Sequence, residues 1–404
     1  MPLIIPKALP AYRALEEENV FVMHKARARA QDIRPLRILL VNLMPTKIAT
    51  ETQIARVLAN SPLQVELSLL HMGTHESTHV PGAHLAAFYK TFDEVRRRRF
   101  DGMIITGAPV EMLPFEEVDY WPELCRIFAY AETHVYSTMY ICWGAQAGLY
   151  YHYGIDKRVL PAKAFGVFPH RVLRPKNPLV RGFDEVFYAP HSRHTESDRA
   201  AILAQPALRV LAESDQAGLH LLTTENGRQI YIFGHMEYDK YTLRDEYQRD
   251  VEKGLPIALP AGYFDGDDPA RDVVFRWRSH ANLLLSLIHI YGKAHAHARQ
   301  RQGAGAGDVA DVHAVHHIVQ HIDELGRHRG HRQLQHQLAD GRRTQHFVLC
   351  FCQRSPLLFV RFRSIFYYSI FLRKCLLVPA KKCRSDKNFD IPAAPWYLRD
   401  RRKG

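Results

Sequence analysis

Between residues 36 and 155 the chain repeats a pattern that few folds accommodate: a continuous apolar run of strand length, then a segment with helical spacing. LRILLVNLM (Leu36–Met44) precedes TKIATETQIARVLANS, in which Ile48, Ile54, Val57 and Leu58 recur as on one helix. LQVELSLLHM is followed by a charged helix at Phe92–Arg98, and DGMIITGAP by the helical WPELCRIFAYAET. VYSTMYICW leads into GAQAGLYYHYG, which stops at Gly154. Strands apolar on both faces and alternating with helices predict an α/β fold with a doubly wound, mostly parallel sheet. Ligands of such sheets collect at the carboxyl ends of the strands. From Val159 to Asp250 shorter strands are expected, and NGR at 226–228 signals a hairpin, hence an antiparallel extension. The helix YTLRDEYQRDVEKG then ends at Gly254 and Pro256.

Charge divides the chain. Residues 1–285 hold 33 Lys and Arg against 34 Asp and Glu, so the formal net charge of +12 arises from residues 286–404, which also hold 11 of the 24 histidines. Two regions are therefore expected, a globular domain over 1–285 and a basic tail over 286–404 without a fold of its own. No recognisable nucleic-acid module accompanies the basic residues, so nucleic acid is not expected as a partner. No apolar run reaches the 18 residues of a membrane span, and MPLIIPKALPAYRALEEENV lacks the pattern of a secretory signal. Only Cys125 and Cys142 lie in the first 285 residues, too few for a disulfide framework. A cytoplasmic location is expected.

Cys142 ends the strand-like VYSTMYI and begins a helix. There the helix dipole and the free N–H groups of the first turn favour a thiolate and can hold a developing oxyanion. An isolated cysteine is ordinarily a core residue, the reading given to Cys125 inside its helix. Cys142 needs a base to be more than that, and YIFGHMEYD supplies His235 and Glu237 after an apolar strand. Spaced i and i+2 on an extended segment, the two side chains share a face, and the carboxylate orients the imidazole. Cys142, His235 and Glu237 then form a nucleophile, base and orienting acid.

Several segments, in order, carry a resemblance to a known family: LLVNLMPTKIATETQ, NSPLQVELSLLHM, FDGMIITGAPVE, YWPELC, CWGAQAGL, RGFDEVFYAPHSRHTE, GHMEYD, RDVEKGL and WRSHANLL. Residues 1–285 resemble the homoserine O-acyltransferases of methionine biosynthesis, which have a class I glutamine amidotransferase-like (flavodoxin-like) fold. The resemblance implies Cys142 as the acyl-thioester nucleophile, His235 as proton acceptor and Glu237 as its partner. It implies substrate contacts at Lys163, Ser192 and Arg249, the last suited to the homoserine carboxylate because guanidinium pairs with it in bidentate fashion. In this family glutamate at the position of Glu111 accompanies acetyl-CoA and glycine accompanies succinyl-CoA, so acetyl transfer is implied. A carboxylate beside the acyl pocket would repel a succinyl tail. The oxyanion donors expected are the backbone N–H of Trp143 and one from the Val110–Glu111 turn. No cofactor or metal is expected, with acetyl-CoA as co-substrate. The partners expected are L-homoserine, acetyl-CoA and a second copy of the chain as a homodimer. Met236 stands where the family commonly has proline, and Tyr140 where the wider amidotransferase elbow has glycine. Succinyl transfer remains the alternative, followed by a glutaminase with the same nucleophile and by an inactive fold whose basic tail binds nucleic acid.

The resemblance stops within the last helix. LSLIHI (Leu285–Ile290) matches a translation of the transposon end sequence CTG TCT CTT ATA CAC ATC used in DNA libraries, and the residues beyond it are rich first in His, Arg and Gln, then in Phe and Arg. The expectation is that residues 286–404 are a chimeric addition, a reading that continuous genomic sequence across the junction would exclude.

Overall fold

The computed structural model describes residues 3–31, 34–61, 63–75 and 80–285. The expectations for residues 286–404 lie outside the described residues. The strands are β1 (Leu3–Ile4), β2 (Val22–Met23), β3 (Leu36–Val41), β4 (Val65–Leu70), β5 (Tyr89–Lys90), β6 (Phe100–Ile105), β7 (Val135–Ile141), β8 (Lys157–Val172), β9 (Val186–Ser197), β10 (Leu208–Ser214), β11 (Gly218–Thr224) and β12 (Gln229–Ile232). They form one sheet in the order β2-β1-β4-β3-β6-β7-β12-β11-β10-β8-β9, with β5 beside β4. From β2 to β12 along that order neighbours run parallel, and from β12 onward they run antiparallel. The mostly parallel α/β sheet and its antiparallel extension both match expectation, and β11 and β12 meet through the turn containing Asn226–Gly227.

The helices are α1 (Pro10–Glu17), α2 (Lys25–Arg29), α3 (Lys47–Ala59), α4 (Gly82–Phe88), α5 (Phe92–Val95), α6 (Trp121–His134), α7 (Trp143–Tyr153), α8 (Arg199–Ala204) and α9 (Thr242–Glu252). Alternate residues of the central strands feed two apolar layers. Ile38 and Leu40 of β3, Met139 and Ile141 of β7 and Ile230 and Ile232 of β12 join α1 and α3 in one layer. Leu39, Val41, Tyr140 and Tyr231 join α6 and α7 in the other. That is the period-2 signature of strands covered on both faces. No helix among the described residues is long and apolar enough to cross a membrane.

Two elements depart from expectation. The helix expected over Phe92–Arg98 stops at Val95 despite a capping box between Thr91 and Glu94, because four consecutive arginines follow and like charges one turn apart repel. The region expected to hold shorter strands contains β8 and β9, of 16 and 12 residues. Pro161 makes β8 read as interrupted, and the interruption survives as a register shift between Val159 and Ala164 within one strand.

Candidate active site

Parallel pairing of β7 and β12 aligns Ile141 with Ile232, so the two chains leave the sheet side by side at their carboxyl ends. Cys142 follows β7 directly, and its N–H donates to the Ile232 carbonyl at 2.7 Å. Its backbone adopts φ +53° and ψ −116°, a conformation disfavoured for any residue with a side chain. Holding it there are that bond and the first turn of α7, in which Ala145 and Gln146 donate to the Cys142 carbonyl at 3.0 and 3.2 Å. The sharp turn requires α7 to pass close over β6. A Cβ on Gly144 would come within 2.6 Å of the Thr106 carbonyl oxygen, so only glycine fits. The Trp143 N–H opens α7, where the helix supplies no acceptor.

His235 comes three residues after β12. Its N–H donates to the Pro190 carbonyl at 2.8 Å, and its Nδ1 lies 2.7 Å from Glu237 Oε1. The expectation of an extended segment here is corrected, because residues 236 and 237 lie in a turn. The turn brings the carboxylate back onto the imidazole where strand alternation was expected to do so. Tyr238 stacks on the His235 ring with centroids 4.1 Å apart and planes 12° from parallel, fixing its orientation. Cys142, His235 and Glu237 are all buried. Burial by itself pulls the His235 pKa down, but the negative charges of Cys142 and Glu237 and hydrogen bonds to both carry it well above the ordinary imidazole value. Cys142 and His235 therefore face each other at the carboxyl ends of β7 and β12, where ligands were expected. Gly107 lines the same point, since a Cβ there would lie 3.3 Å from Cys142 Cβ and 3.7 Å from His235 Cε1.

Lys163, Ser192 and Arg249 come from β8, β9 and α9, and one residue not singled out from sequence, Glu246, draws them together. Lys163 Nζ and Ser192 Oγ donate to Glu246 Oε1 at 2.6 and 2.7 Å. Arg249, half-exposed, has Nη2 3.9 Å from the same oxygen and 2.7 Å from Asp250 Oδ1. The signal for Glu246 was its place three residues before Arg249 on one helix, which puts both on one face. Glu111 Oε2 accepts from the N–H groups of His194 and Thr195 at 2.8 and 3.2 Å and from Thr195 Oγ1 at 3.1 Å. Thr195 Oγ1 also lies 2.9 Å from Oε1 of Gln146 on the first turn of α7, so the Glu111 carboxylate is pinned close to the elbow. Arg193, also not foreseen, is buried beside it, with Nη1 donating to the Thr195 carbonyl at 2.8 Å and Nη2 to that of Ala217. Cys125 is half-buried in α6, where burial pushes its thiol pKa up, and it takes no part in the site.

The architecture is a strained turn carrying Cys142, with the His235 imidazole across from it and a polar cradle to one side. A glutamine amidotransferase from Thermotoga maritima is among the similar solved structures, at 11% identity and a TM-score of 0.44 over 64% of this chain and 99% of that one. Homoserine O-acetyltransferases from Clostridium novyi and Acetivibrio thermocellus are 57% and 55% identical over 286 residues, 71% of this chain and 95% and 94% of theirs. The family model described as homoserine O-succinyltransferase matches residues 2–291. With the match running through the elbow, the histidine turn and the polar cradle alike, the chain belongs to the homoserine O-succinyltransferase family of acyltransferases.

Proposed function

We propose that the protein transfers an acetyl group from acetyl-CoA to the hydroxyl of L-homoserine through a thioester on Cys142, giving O-acetyl-L-homoserine for methionine biosynthesis. The observation that carries this reading is the pairing of Cys142 at the elbow with His235, whose Nδ1 is held 2.7 Å from Glu237. The Cys142 thiolate attacks the acyl-CoA carbonyl, and the CoA thiolate leaves with the proton of the His235 imidazolium. His235, now neutral, takes the homoserine hydroxyl proton as the alkoxide attacks the thioester and releases the Cys142 thiolate. The Trp143 N–H and one from the Val110–Glu111 turn serve both oxyanions.

The cradle accounts for homoserine. Arg249 suits its carboxylate, and Glu246, which already gathers Lys163 and Ser192, offers a negative charge to its ammonium group. Glu111 supports acetyl over succinyl as the donor group, because its carboxylate is fixed by three hydrogen bonds and a second carboxylate brought against it would be repelled.

Incubation with acetyl-CoA alone should add one acetyl group to Cys142, detectable by mass spectrometry of the intact chain and its peptides. Cys142→Ala should lose both the adduct and turnover, the latter by at least about 10³-fold. Turnover retained in that variant would sink the thioester mechanism. Glu111→Gly should gain succinyl-CoA use at the expense of acetyl-CoA, and a wild-type protein that prefers succinyl-CoA would overturn the donor assignment alone.

A further inference from the structure

A second histidine group lies behind the first. His170 on β8, His191 on β9 and His220 on β11 are each 0% exposed, and one ring nitrogen from each lies within 4.8 Å of those from the other two. Ring centroids are 5.0 Å apart for His170 and His191, 4.3 Å for His170 and His220, and 5.4 Å for His191 and His220. Hydrogen bonding fixes the protons. The Phe168 carbonyl, 2.9 Å from His170 Nδ1, can only accept, so Nδ1 carries the proton and Nε2 presents a lone pair to its neighbours. That Nε2 is 3.0 Å from His191 Nε2. Among the described residues, His191 Nδ1 and both nitrogens of His220 have no hydrogen-bond partner. Buried polar atoms without partners are penalised by lost solvation, and a cation taking one nitrogen from each ring would engage His170 Nε2, His191 Nε2 and one of the two unpartnered nitrogens of His220.

We propose that His170, His191 and His220 bind one divalent transition-metal cation of the zinc class. Three imidazoles converging on one point are a donor set that suits zinc, with a fourth position for water or a small anion. The tie from His170 Nδ1–H to a backbone carbonyl is the outer hydrogen bond that orients metal-bound histidines. Burial depresses all three imidazoles, His170 to about 4 and the other two well below their ordinary value, so at neutral pH each is neutral, as ligation requires. Binding shifts the His191 proton from Nε2 to Nδ1 and releases none. Two ligands of a tetrahedral zinc stand about 3.3 Å apart, a few tenths of an ångström more than the observed nitrogen pair. The buried Arg193 guanidinium lowers the pKa of all three imidazoles and repels a cation as well, which favours an anion such as hydroxide at the fourth position.

The full chain, produced in zinc-supplemented medium and passed over a chelating resin, should retain about one zinc per chain, measured by elemental analysis. Protein produced with cobalt should show the visible absorption of a tetrahedral nitrogen-ligated site. His220→Val, which leaves an apolar wall in place of one ligand, should lose both signals, and zinc held by histidines elsewhere in the chain would persist equally in the two proteins. Zinc retained equally by wild type and variant, or no retained metal in wild type, overturns the site. If His220→Val does not fold, His220→Gln, which keeps a polar side chain of similar size, takes its place in the same comparison.

Discussion

His235 and the group of His170, His191 and His220 are all but withdrawn from water, yet their imidazoles respond in opposite directions. Burial lowers the pKa of every one of them, and in the three-histidine group no anion opposes it: the Phe168 carbonyl pulls the other way on His170, while Arg193, His235 and the neighbouring imidazoles act in the same sense as burial. For His235 the same penalty is overcome by Cys142 and Glu237. Desolvation therefore does not make a base or a spectator; the anions within hydrogen-bond reach do. Gly234 lies between the two environments. A Cβ there would meet His220 Cε1 at 2.8 Å and His191 Nε2 at 2.9 Å, and the next residue is the charged imidazole.

Removing the carboxylate should break the contrast most strongly. Glu237→Gln keeps the shape but removes the charge and turns the amide against one tautomer of His235, and kcat/KM should fall by about 10²–10⁴-fold. The raised pKa of His235 should fall with it, so the alkaline limb of the pH–rate profile, where the imidazolium loses its proton, moves to lower pH. An alkaline limb left in place would show that Glu237 does not set the protonation of His235. Moving the divider should do less. Gly234→Ala places a methyl group 2.7 Å from the Pro190 carbonyl oxygen, the acceptor of the His235 N–H, as well as against both neighbouring imidazoles. Stability should fall by about 3 kcal/mol in urea titrations, at the upper end for overpacking because backbone must yield. Unchanged stability would mean that the two groups are not packed through this point.

How much of this was legible in the sequence depends on whether a feature is local. The β3–α3, β6–α6 and β7–α7 units could be read because each strand buried on both faces leaves an unbroken apolar run, and Gly154 closes α7 with φ +66° as its position suggested. Two-residue strands such as β1 and β2 leave no such trace. Cys142 and His235 were paired on chemistry, and their proximity comes from β12 returning parallel to β7, a crossing of some ninety residues that no local pattern encodes. Glu246 escaped notice because its partners Lys163 and Ser192 are 83 and 54 positions away. The three buried histidines escaped for the same reason. They sit on three strands of the antiparallel extension with no motif spacing, and the sheet order brings them together.

The finest separation of the two groups should appear in acid. A histidine whose pKa is lower folded than unfolded binds its proton first in the unfolded chain, so between pH 6.5 and 4 each member of the three-histidine group draws the equilibrium toward unfolding as pH falls. His152, also depressed by burial to about 4, acts in the same sense. His235 acts in the opposite sense: its raised pKa adds stability that is fully present below pH 6.5 and is lost only as pH rises through the folded value. Each depressed histidine should contribute roughly 1.4 kcal/mol of lost stability per pH unit within its window. His220→Val removes one titrating group, and its stability, followed by urea unfolding of both proteins in the presence of a metal chelator from pH 6.5 to 4.5, should fall less steeply than wild type by about that amount. A variant slope equal to wild type would mean that His220 is protonated in the folded protein, and the uncharged character assigned to that side of Gly234 would be lost.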